Sequence, residues 1–168
     1  MKYLISAAVA AAALAVSAAG AQAQTWYGSV GASRTDSGEL SFGMVEGRLG
    51  ARINDNFGVE AEAGFGITED DYLGVDVKIK RSLGLAAVVY MPISENTDLF
   101  ARLGFANAEF EASTGGVTAN EADDAVLLGL GGQYFWAGNN GVRYEVTHYE
   151  YDMGGGSDAI ALSYVRKF

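Results

Sequence analysis

The stretch Phe57-Gly58-Val59-Glu60-Ala61-Glu62-Ala63-Gly64-Phe65-Gly66-Ile67 decides the fold. Phe57, Val59, Ala61, Ala63, Phe65 and Ile67 alternate with Gly58, Glu60, Glu62, Gly64 and Gly66. Successive side chains of an extended strand point to opposite faces, so this pattern predicts a two-faced strand. One face is apolar. The other holds carboxylates and glycines.

The same period recurs on both sides, and helix-period patterns are hard to find. Toward the N-terminus, Leu40–Ile53 sets Val45, Leu49, Ala51 and Ile53 against Glu46, Arg48 and Arg52. Before it, Thr25–Arg34 places Trp26, Gly28, Val30 and Ala32 on one face. Toward the C-terminus, Gly74–Met91 sets Val75, Val77, Ile79, Leu83, Leu85, Ala87 and Val89 against Asp76, Lys78, Lys80, Ser82 and Gly84. Asp98–Phe110, Ala125–Trp136, Val142–Tyr151 and Asp158–Phe168 complete eight predicted strands.

Compact turns are predicted at Asn54-Asp55-Asn56, at Pro92 to Thr97, and at Ala137 to Gly141, where Asn, Asp, Gly and Pro gather. The other connections are more polar. The longest is read as a loop over Glu111–Asp124 with Gly115-Gly116 inside it. Short turns at one end and longer connections at the other, with an even strand count, suit a closed up-and-down barrel.

Alternation alone leaves open which face points inward. Three features place the apolar face outside. Glycine is concentrated on the polar face, at Gly58, Gly64, Gly66, Gly84, Gly104, Gly129 and Gly131. A water-facing strand gains nothing from glycine, whereas the narrow interior of an eight-stranded barrel needs small neighbours beside long charged side chains. Aromatic residues of the apolar face (Trp26, Phe57, Tyr134, Trp136, Tyr144, Tyr164 and Phe168) collect near the short-turn ends, as an interfacial girdle does. The polar face also pairs opposite charges. A tight turn at Asn54–Asn56 sets Arg48 opposite Glu62, and Trp136 facing Val142 would set Gln133 opposite Glu145. Glu46, Arg48, Glu60, Glu62, Arg102, Gln133, Arg143 and Glu145 are the expected lumen network. The expectation is an all-β, eight-stranded antiparallel transmembrane barrel. Backbone polar groups in lipid must all be paired, so strand one closes onto strand eight.

The chain's start supports export. Met1-Lys2 precedes an apolar, Ala-rich run over Leu4–Ala19 and the small-x-small site Ala21-Gln22-Ala23. This reads as a secretory signal peptide over residues 1–23, leaving a barrel domain over 24–168. The full chain carries a net charge of −10, and the mature chain, without Lys2, carries −11. That balance argues against nucleic acid as a partner. There is no cysteine, so neither disulfides nor thiolate metal sites are available.

Several stretches resemble the small outer-membrane barrels of the opacity-protein and outer-membrane-protein-A-like type. They are the Pro92 turn followed by Leu99-Phe100-Ala101-Arg102-Leu103-Gly104-Phe105, then Gly129-Leu130-Gly131-Gly132-Gln133-Tyr134, and Val142-Arg143-Tyr144-Glu145. The ending Leu162-Ser163-Tyr164-Val165-Arg166-Lys167-Phe168 also fits. In that ending, Tyr164 and Phe168 look like the signal read by the barrel-assembly machinery, although Arg166 stands where an aromatic is usual. The resemblance implies the outer membrane as location, and outer-membrane lipid and lipopolysaccharide as surroundings. It leaves a surface ligand, held through the loops, open.

Candidate chemistry is sparse. His148, the one histidine, falls on the lipid-facing parity near the outer rim, in the string His148-Tyr149-Glu150. Lipid A deacylases carry a His-x-Ser pair, and no serine follows here. A lone histidine is also a poor metal site. Asp70, Asp71, Asp123 and Asp124 read as solvated loop acids, with bridging by divalent cations to lipopolysaccharide phosphates as the alternative reading. Gly154-Gly155-Gly156 lacks the lysine and helix of a phosphate cradle. The reading is a non-enzymatic membrane barrel with a structural or surface-interaction role and no cofactor. A lipid A-modifying barrel enzyme and a soluble exported ligand-binding barrel are the alternatives.

Overall fold

The computed structural model describes residues 25–38, 40–72, 75–114 and 117–168. The expected signal peptide over 1–23, the start of strand four at Gly74 and the Gly115-Gly116 pair lie outside them.

Among the described residues are strands β1 (Thr25–Ser37), β2 (Leu40–Arg52), β3 (Phe57–Gly66), β4 (Asp70–Tyr72), β5 (Val75–Ser94), β6 (Thr97–Thr114), β7 (Val117–Phe135), β8 (Asn140–Tyr151) and β9 (Gly156–Lys167). The sheet order is β3-β2-β1-β9-β8-β7-β6-β5-β4, and β3 also pairs with β5. That last pairing closes eight strands into an antiparallel barrel, with β4 as a short addition at one rim. The β1–β9 seam begins at Tyr27 opposite Lys167, and the Phe168 N–H donates to the Trp26 carbonyl at 2.8 Å. Both ends of the barrel therefore lie at one rim, together with the β2–β3, β5–β6 and β7–β8 turns.

Burial follows the inverted arrangement. Leu103 and Leu130 are 60% and 62% exposed, while Arg102, Arg143 and Glu145 are at or below 1%. An apolar belt thus surrounds a lumen that holds the charges. The inward glycines serve close approach. A Cβ on Gly84 would lie 2.8 Å from Glu62 Cγ, and one on Gly50 would collide with the ring of Tyr27.

The structure departs from the sequence reading in four places. First, Glu111–Asp124 is not a loop. It is the upper part of β6 and β7, which run for 18 and 19 residues and pair from Thr97–Tyr134 up to Thr114–Val117. About 9–11 residues suffice to cross a membrane. The β7–β8 pairing stops at Ala125–Tyr151, so the β6–β7 hairpin projects past its neighbour. With no proline in the segment, nothing interrupts the ladder. Second, Asp70, Asp71, Asp123 and Asp124 lie on strands rather than loops.

Third, β5 carries a bulge. Ile79 pairs with Phe110 and Arg81 with Glu109, leaving Lys80 as an extra residue. One inserted residue reverses side-chain parity. Ile79 therefore turns inward, 3% exposed, whereas Leu83 on the expected common face stays 55% exposed. Pro92 also lies within β5 rather than in the turn, opposite Asp98 and beside a second register shift. A proline lacking an N–H is tolerated at such a strand end. Fourth, Tyr134, not Trp136, faces Val142, so Gln133 faces Arg143 and Gly131 faces Glu145. The turn is larger than expected. Trp136 N–H donates to the Asn140 carbonyl at 3.0 Å, and Gly138 takes the left-handed conformation at φ 68°.

Candidate functional site

The lumen is stacked in layers. At the rim that holds the termini, Tyr27, Val88, Tyr90, Phe100, Phe135 and Val165 form an apolar cluster. Arg52 grips Asp98 with two nitrogens, at 2.9 and 3.1 Å, and Gln133 Nε2 donates to the same carboxylate at 2.9 Å. Gln133 thus belongs to this lower group and not to the central network.

The centre is an ion network built from five strands. Arg102 of β6 meets Glu60 at 3.0 Å and also pairs with Glu62 and Glu145. Arg143 of β8 meets Glu60 at 2.5 Å and Glu145 at 2.8 Å. Arg48 of β2 meets Glu46 at 2.6 Å, Glu62 at 3.2 Å and Glu145 at 3.4 Å. Thr147 Oγ1 donates to Glu145 at 2.6 Å, and Tyr27 OH donates to Glu60 at 2.6 Å. Seven of the eight residues expected in the lumen network therefore meet here, and the Arg48–Glu62 register is the one expected. Four carboxylates face three guanidiniums. Ionised groups removed from water hold their charge only when so paired. Their arrangement clamps opposite walls of the barrel together and fills its cross-section.

Sequence reasoning places Arg52 and Thr147 on the polar face without counting them as network partners, and it misses Tyr27, Tyr90 and Asp98 as interior partners. Their parity was available: Tyr27 alternates with Trp26, and Thr147 follows Arg143 and Glu145 at period two. Toward the far rim the lumen turns apolar again. Ala86, Ala106 and Leu127 pack with Tyr149, and above them Phe42, Met44 and Ile79 pack with Leu40, Val77 and Phe110.

Outside, the girdle residues Trp26, Phe57, Tyr134, Trp136, Tyr144, Tyr164 and Phe168 are all exposed. Above the belt runs a polar collar. Lys78 pairs with Glu111 at 2.7 Å, and Arg81 with Glu109 at 2.7 Å. In the collar His148 Nδ1 lies 2.7 Å from Asp158 and Nε2 lies 3.5 Å from Glu150. The hydrogen bond to Asp158 is the main cause that raises the His148 pKa above its ordinary value, with Glu150 adding to it. The paired acids act as braces: Asp70 accepts from the Ser41 N–H at 2.9 Å, Asp123 from the Met153 N–H at 3.3 Å, and Asp124 from Asn107 at 2.8 Å.

The sequence matches the profile of the outer membrane protein β-barrel domain over residues 4–168. The chain belongs to that family. Solved structures of other outer-membrane barrels share the fold of this β-barrel domain. The N-terminal barrel domain of Pseudomonas aeruginosa OprF superposes with a TM-score of 0.67 at 13% identity, covering 86% of this chain and 97% of that one. Ail of Yersinia pestis, solved with the heparin analogue sucrose octasulfate, gives 0.66 at 15% identity, covering 88% and 100%. Neisserial surface protein A gives 0.60 at 15% identity, covering 86% and 97%. No curated protein matches the chain. Family and fold place this β-barrel domain in the outer membrane, with its apolar belt against lipid.

Proposed function

We propose that this chain is a closed, non-enzymatic outer-membrane barrel whose role is structural or lies in surface interaction. The ion network carries the reading. Arg102 and Arg143, each 1% exposed, tie β6 and β8 to carboxylates on β3 across the lumen. A lumen so filled passes no general solute. His148 faces two carboxylates rather than a serine, which supports a non-enzymatic role for the outer collar. The apolar belt disfavours a soluble ligand-binding barrel.

Surface interaction falls to the β6–β7 hairpin. Ail was solved in complex with the heparin analogue sucrose octasulfate. Beyond Glu109 and Glu111, which pair with Arg81 and Lys78, this hairpin carries Glu121, Asp123 and Asp124, and that acidic excess favours a cationic partner instead. Residues 1–23 act as the export signal, cut after Ala23. Tyr164 and Phe168 present the ending to the barrel-assembly machinery, and lipopolysaccharide surrounds the collar. The deciding experiment is planar-bilayer recording of the purified, folded protein. Current stays at the level of the protein-free bilayer. Discrete conductance steps at neutral pH overturn the closed-lumen reading.

A further inference from the structure

Two adjoining cavities occupy the outer half of the lumen, on the far-rim side of the ion network. The upper has a volume of about 70 Å³ and the lower about 30 Å³, and Thr35, Ile79 and Tyr151 line both. An engineered apolar cavity of ~150 Å³ holds benzene, so this space suits a compact body of about four or five non-hydrogen atoms.

The walls and floor differ in chemistry. Met44, Ile79 and Phe110 supply apolar wall, and Tyr149 and Tyr151 stack with ring centroids 6.5 Å apart. The floor is Glu46 together with Glu62, both lining the lower cavity, and Glu62 is held by Arg48 and Arg102. The network below it leaves one carboxylate in excess, since Glu46, Glu60, Glu62 and Glu145 share Arg48, Arg102 and Arg143. Arg102 and Arg143 are committed to Glu60, Glu62 and Glu145, and only Arg48 reaches Glu46. The Glu46 side chain also keeps 12% exposure, the most of the four. The excess negative charge therefore faces the cavity, beside the tyrosine rings that line it.

We propose that this outer vestibule binds a small organic ammonium ion, its nitrogen on Glu46 and its hydrocarbon body against Met44, Ile79 and the tyrosines. A metal ion gains nothing from the apolar wall, and a neutral molecule gains nothing from the surplus charge. The site goes beyond the proposed surface role, and it stands or fails independently of whether the barrel conducts.

The test is a methyl-detected NMR titration of the refolded barrel in detergent micelles with isopropylammonium chloride. Equal concentrations of sodium chloride and 2-propanol serve as comparisons. The Met44 and Ile79 methyl signals shift saturably with isopropylammonium, with a dissociation constant on the order of millimolar, and shift little with either comparison. Glu46→Gln weakens binding at least about fivefold. Ala108→Met, which fills the lower cavity, abolishes the shift while the folded form still migrates faster on an unboiled gel. Three results each overturn the proposal: no saturable shift, equal response to 2-propanol or sodium, or undiminished affinity in folded Glu46→Gln.

Discussion

Arg143 and Glu60 stand 83 residues apart in sequence, yet Arg143 Nη1 donates to Glu60 Oε1 at 2.5 Å across the lumen. Both side chains are fully withdrawn from solvent. The pair ties β8 to β3, two strands that share no ladder. Its energetics are those of burial: two desolvated charges attract strongly, but each has lost its water. Removing both together is therefore mild, whereas removing one is severe.

Arg143→Met leaves Glu60 and Glu145 with fewer cations and costs about 3–5 kcal/mol of stability. The double replacement Glu60→Gln with Arg143→Met recovers part of that loss. Urea unfolding in liposomes, read by the change in gel migration, measures both. A single variant no less stable than the wild type would mean that the network is ornamental.

Glycines separate by face in the same assay. Gly84 faces the lumen, where a Cβ would stand 2.8 Å from Glu62 Cγ. Gly132 meets nothing nearer than Leu99 Cδ2 at 3.4 Å. Gly84→Ala costs about 1–3 kcal/mol because the network must shift. Gly132→Ala stays within about 0.5 kcal/mol. Equal losses at the two positions would contradict the packing described for the lumen.

Leu103 and Leu130 mark the lipid face, more than half exposed each. Leu130→Lys places an ammonium in the apolar belt and costs about 2–4 kcal/mol near the bilayer midplane. Refolding yield into liposomes falls accordingly, while refolding into short-chain detergent micelles falls less. A soluble barrel would gain solubility from the same change, so the sign of the effect separates the two architectures.

Most of the barrel was legible because one rule governs it. Period two assigned every barrel strand, and the tight Asn54–Asn56 turn fixed Arg48 opposite Glu62, since register follows from turn length. The same rule misled where one residue was added. Lys80 is the extra residue of a bulge, and no composition signal marks it, so Ile79 was assigned to the lipid face when it packs on Phe42 and Met44. Turn length caused the other register error, at Trp136–Asn139, which moved Gln133 from Glu145 to Arg143. The β6–β7 extension read as loop because both of its faces are polar. Outside the membrane neither face needs to be greasy. The lumenal cluster at the rim of the termini was hidden for a related reason: Tyr27, Tyr90 and Phe135 share parity with polar residues, and aromatic side chains near a rim suit either face.

His148 offers a titration that reports on the collar. Its Nδ1 lies 2.7 Å from Asp158 Oδ1 and its Nε2 3.5 Å from Glu150 Oε2. The Asp158 hydrogen bond, with Glu150 adding to it, favours the protonated ring and raises the pKa above the ordinary value of about 6.5. A raised folded-state pKa stabilises the fold fully below the unfolded value, and the contribution fades as pH rises through the folded value. The β8–β9 hairpin end is therefore tighter at about pH 6 than at about pH 8. Imidazole resonances of the refolded protein, followed from about pH 5 to pH 9, show a midpoint above about 6.5. Asp158→Asn lowers that midpoint more than Glu150→Gln does, because Asp158 makes the shorter contact. A wild-type midpoint at or below the ordinary value, or a larger drop from Glu150→Gln, would remove the Asp158 contact as the cause.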